Sequence, residues 1–142
     1  MQSETSKSLR RNKLFDPLMG TIGGLFMGSI VYAVNASYGF DAAIIAALKQ
    51  GGYTFFMGGI TMKLAENLSV KFPNTAKALS LATTLPTLLA VSLTYLLHSL
   101  KGTPEPLTST LPTLLLAPGG FLWWAHKKRK TKILQEDNKH II

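Results

Sequence analysis

A chain of 142 residues, 46% hydrophobic and 15% charged, suits one compact unit, and its charge content lies well below the roughly 25% of an average soluble domain. Fifteen Lys and Arg against seven Asp and Glu give a formal charge of +8, which fits nucleic acid, an anionic lipid surface or membrane topology until position along the chain decides. With no Cys, disulfide frameworks, thiolate metal sites and cysteine nucleophiles are excluded.

Residues 1–14 form a basic lead containing Lys7, Arg10, Arg11 and Lys13. A first apolar span follows at 15–37, long enough as a helix to cross about 30 Å of hydrocarbon. Asp16 before Pro17 reads as an N-cap with a first-turn proline, the alternative being an ion ligand. Gly20, Gly24 and Gly28 recur at four-residue steps and predict a side-chain-free stripe for close helix packing. The basic lead, apolar core and Val34-Asn35-Ala36 are also similar to a secretory signal, but four glycines and Pro17 make a poor signal core, so the span is read as retained.

The second span is expected at 42–62, after a short turn at 38–41, with Asp41 as its cap. Gly52 and Gly59, from the pairs Gly51/Gly52 and Gly58/Gly59, are expected to pack on the first helix, or between copies of the chain. Lys49 lies about 10 Å into this helix at 1.5 Å per residue. Two placements are open to it, facing the bundle or snorkelling to the headgroups. In the first, Lys49, Gln50, Tyr53, Tyr95 and His98, with Glu105 from a loop, make a polar pocket for an anion or a proton relay; in the second, Tyr95 and His98 are ordinary interfacial side chains. Lys63 and Glu66, three residues apart beyond this span, predict an exposed ion pair of small energetic value.

The third span is expected at 78–99, capped by Asn74 or Thr75 and kinked at Pro86, with Thr83, Thr84 and Thr87 near the freed carbonyls. A fourth follows at 107–125, capped by Ser109 or Thr110, with Pro112 in its first turn and a bend or break at Pro118-Gly119-Gly120. Trp123, Trp124, Lys127, Lys128, Arg129 and Lys130 then read as an interface and anionic-lipid anchor rather than a nucleic-acid patch, and 126–142 as a basic tail. Two echoes, Phe26-Met27-Gly28 with Phe56-Met57-Gly58 and an unchanged Thr-Leu-Pro-Thr-Leu-Leu at 84–89 and 110–115, fit either an inverted repeat or biased composition.

Asp16 and Lys49 are the charged residues within these spans. With four crossings, every Lys and Arg except Lys49 and Lys101 falls on one side, so the positive-inside rule places both termini in the cytoplasm. The expected fold class is therefore all-α: a polytopic membrane protein, a four-helix bundle occupying 15–125, in the inner membrane of a bacterium. Histidines 98, 126 and 140 lack metal-ligand spacing, and no phosphate loop or nucleophile elbow is present. The expectation is a non-enzyme without cofactor or metal. Its partners are the bilayer, anionic lipids at the cytoplasmic face, and further copies or a larger membrane complex, with no nucleic acid. Two roles follow: an oligomeric transporter or channel for a small solute or ion, and an accessory or lipid-binding subunit without transport.

Overall fold

A computed structural model describes residues 14–101 and 106–139. The cations of the basic lead, Glu105 and His140 lie outside the described residues. Four helices account for nearly all of what is described, and no strand occurs there: α1 (Pro17–Asn35), α2 (Phe40–Lys71), α3 (Thr75–Leu100) and α4 (Pro106–Lys139).

Local chemistry sets most of the helix ends. The Asp16 carboxylate accepts from the Met19 amide at 3.0 Å with Pro17 at the first helical position, so Asp16 is the cap of α1. A single 3-10 turn, Ala36–Tyr38, leads to Gly39, whose φ of 99° is the left-handed conformation that favours glycine. That makes Gly39 the N-cap of α2 and puts Asp41, the expected cap, inside the first turn. Phe72 is extended before Pro73, which ends α2, and Asn74 caps α3 by accepting from the Lys77 amide at 2.9 Å. Only 72–74 separate α2 from α3, so both helices run past the apolar spans 42–62 and 78–99.

Two other departures share a cause. α4 begins at Pro106, ahead of the expected caps, and Thr110 bonds back to the Pro106 carbonyl at 2.8 Å instead of capping. It then continues through Pro112, Pro118 and the expected basic tail to Lys139. From 121 onward the chain has no Gly or Pro and is rich in Lys, a good helix former, so nothing stops the helix before Lys139. Pro86 likewise sits inside an uninterrupted α3, buried, with the Thr87 hydroxyl donating to the Thr83 carbonyl at 2.7 Å.

The packing is unequal. α2 touches each of the other helices, α3 pairs with α4, and α1 lies against α2 alone. Small side chains set the close contacts: Ala43, Ala47, Ala65, Ala78, Ala82 and Ala125 are buried, while the larger core residues Met19, Phe121 and Trp124 gather at one end. Bulky apolar side chains point outward, among them Leu25 at 69% exposure, Leu88 at 58% and Leu115 at 75%. Two helical stretches, Pro17–Tyr38 and Thr75–Leu100, are long and apolar enough to cross a membrane, and in each only 22% of the most apolar window is buried. α2 and α4 fall short of that measure where four spans were expected, because Lys49, Gln50 and four glycines dilute the apolar stretch of α2 and Thr, Ser, Pro and Gly dilute that of α4.

Candidate functional site

The five residues expected to share a polar pocket differ in exposure and in partners. Lys49 is exposed on a face of α2 that also carries Ile45, Gly52 and Phe56, all exposed, which turns it away from the neighbouring helices. Gln50 is spent within its own helix, donating to the Thr54 hydroxyl at 3.2 Å. Tyr53 does cross to α3, where its hydroxyl and that of Thr94 lie 3.2 Å apart, while Tyr95 is 44% exposed and His98 half-buried.

The glycine positions separate more sharply. A Cβ on Gly20 would lie 2.5 Å from the Phe55 carbonyl oxygen, one on Gly24 2.8 Å from the Gly51 oxygen, and one on Gly28 3.2 Å from the Ala47 oxygen. α1 and α2 thus meet backbone to backbone along the stripe. On α2 the matching glycine is Gly51, whose Cβ would meet the Gly24 oxygen at 3.0 Å. Gly52 faces open space, with nothing within 4 Å of such a Cβ, and so is not a packing glycine here. Gly59 lies beneath the Phe15 ring, and its carbonyl accepts from the Asp16 amide at 2.9 Å, tying the start of α1 to α2. Alongside the stripe runs an open apolar groove of about 500 Å³, bordered by Leu25, Tyr32, Leu48 and Phe55.

The charged chemistry lies at the other end of α2. Lys63 and Glu66, 5% and 7% exposed, are buried where an exposed pair was expected, with Nζ 2.7 Å from Oε1. The reason is α4: its continuation past Ala125 brings Lys128 Nζ to 3.2 Å from the second carboxylate oxygen. Burial pushes the Glu66 carboxyl up, but the two ammonium groups outweigh it and hold it below its ordinary value. Arg129 clamps the end of α2, donating through Nη1 to the carbonyls of Ser69 at 2.8 Å and Phe72 at 2.9 Å and through Nη2 to that of Pro73. Lys132 donates to the Val70 carbonyl at 3.1 Å. These cations satisfy carbonyls that a helix C-terminus leaves without donors, and they oppose its partial negative charge.

Between α2 and α4 this leaves a groove of about 340 Å³ bordered by Glu66, Trp124, Lys127, Lys128, Thr131 and Lys132. Trp124 is buried and Trp123 is 58% exposed. Lys127 sits 5.2 Å from the Trp123 ring centre and Lys128 4.4 Å from that of Trp124, both in cation–π range. Lys130 is exposed outside the groove. From sequence the tryptophans end the fourth span and the lysines belong to a basic tail, and their convergence on Glu66 goes unforeseen. The available signal was the i, i+4 alignment of Trp124, Lys128 and Lys132 on one helix face, with Lys63 and Glu66 already paired by spacing on α2. The chain matches no family model, no curated protein and no solved structure.

Proposed function

We propose that the chain is a four-pass protein of the bacterial inner membrane, with both termini cytoplasmic, that works without catalysis as an accessory subunit joining a larger membrane assembly. The observation that carries this reading is the outward display of apolar side chains: the two most apolar helices have most of their surface outside the fold, where a soluble protein would bury it. α2 and α4 complete the crossings as the antiparallel neighbours of α1 and α3, and the charged turns at their ends fall on the side that the positive-inside rule makes cytoplasmic. Support for an accessory role comes from α1, which has one helical neighbour and a free apolar face along Leu18, Ile22, Leu25 and Phe26.

Oligomeric transport is the second reading. What favours it is Lys49 on an exposed face beside Gly52, where a second copy has room to approach and enclose a charged path. Liposomes containing the purified protein separate the two. The accessory reading expects ion and proton gradients to persist and gentle extraction to recover the chain in a stoichiometric complex with another protein. Flux that Lys49→Ala abolishes, with insertion unchanged, replaces it with transport.

A further inference from the structure

The groove between α2 and α4 holds more hydrogen-bond donors and positive charge than its own acceptors use. Lys127, Lys128 and Lys132 border it against one carboxylate, Glu66, which is already engaged from within the fold by buried Lys63. Lys127 has no carboxylate partner among the described residues, and its contacts are the two tryptophan rings. The indole N–H of Trp124, on a side chain that borders the groove and is 5% exposed, has no acceptor. That nitrogen has no surface open to the groove, so the donors the groove presents are its lysine ammonium groups.

The missing ligand is therefore an anion with several acceptor oxygens, which is the chemistry of a phosphate ester. Trp124 and Lys127 stand at the end of the apolar stretch 107–125, at the near end of a groove that runs on almost three turns to Gln135. In a membrane that position is the headgroup layer, roughly 5–8 Å deep on each side of the hydrocarbon. We propose that the groove is a discrete site for one phosphate group carried by an anionic phospholipid, with Lys127 and Lys128 as its donors. This rests on the membrane reading for the source of the phosphate, though not for the chemistry of the site.

A diffuse basic anchor and a discrete site differ in which lysine matters. In nanodiscs of phosphatidylcholine doped with phosphatidic acid, native mass spectrometry of the wild type should retain one phosphatidic acid per chain. Lys127→Gln should weaken retention about tenfold, as loss of one charge-assisted hydrogen bond implies, while Lys130→Gln leaves it unchanged. Trp124→Phe keeps an aromatic ring, removes only the sealed N–H and should leave retention unchanged. Equal losses from Lys127→Gln and Lys130→Gln would make the lysines a surface field and overturn the site. In plain detergent, inorganic phosphate or glycerol phosphate should leave tryptophan fluorescence unchanged. A saturable change that Lys127→Gln abolishes would overturn the lipid source and assign the groove to a soluble phosphate. Recovery of the chain in water without detergent would remove the membrane reading alone.

Discussion

Glu66 is the residue on which the basic end turns, because among the described residues it is the carboxylate that faces two ammonium groups in a buried setting. Removing one partner from such a cluster leaves charge without compensation, so Glu66→Gln should cost about 3 kcal/mol at neutral pH. Since the folded carboxyl titrates below its ordinary value of 4.5, its contribution is complete above that pH and is lost as the pH falls through the folded value. The unfolding midpoints of wild type and Glu66→Gln in detergent should therefore stay a constant distance apart from pH 7 to about 5 and converge in stronger acid. A gap unchanged at acid pH would mean that the carboxylate charge is not what the cluster uses. The spacing of Lys63 and Glu66 was enough to pair them, but their burial was illegible because it depends on Lys128, more than sixty residues away in sequence. Lys49 posed the opposite difficulty: its face was readable from helical periodicity, but whether that face met other helices was not.

Among the elements, α1 was the most legible. Its cap, its proline and its glycine steps are local signals, and the structure places a glycine wherever α2 comes too close for a Cβ. The partner glycine was not legible, since Gly51 and Gly52 differ by one residue, about 100° of helix, and only the relative rotation of the two helices separates them. Alanine substitutions make the distinction measurable. Gly24→Ala forces a methyl against the Gly51 carbonyl and should destabilise by about 1–3 kcal/mol through overpacking. Gly52→Ala meets open space and should be neutral or stabilise by up to about 1 kcal/mol through helix propensity, as thermal unfolding would report. α2 and α4 run past their apolar spans for one reason: apolar length marks where a span ends, whereas a helix ends only where its backbone bonding is interrupted. Pro73 interrupts α2 at Phe72, and α4 meets no comparable stop before Lys139.

At the scale of the molecule, helix number and order followed from the apolar segments, but the lopsided packing did not, because nothing local says that α1 has one neighbour. The reading of four crossings makes a direct forecast, helped by a chain with no Cys of its own. Single cysteines introduced at Ser3 and Asn138 should resist an impermeant thiol reagent in intact cells and react after lysis, whereas one at Ser37 should react in both. Opposite accessibility of the two ends would eliminate an even number of crossings. The long helices carry a mechanical consequence. At 1.5 Å per residue α2 and α4 are rods of about 48 and 51 Å, well over the ~30 Å of hydrocarbon, and Arg129 fastens one to the end of the other. On the four-crossing reading, a thinner or thicker bilayer, which resets helix tilt, would swing those projecting ends sideways together, so that strain in the lipid is converted into travel of the water-facing surface.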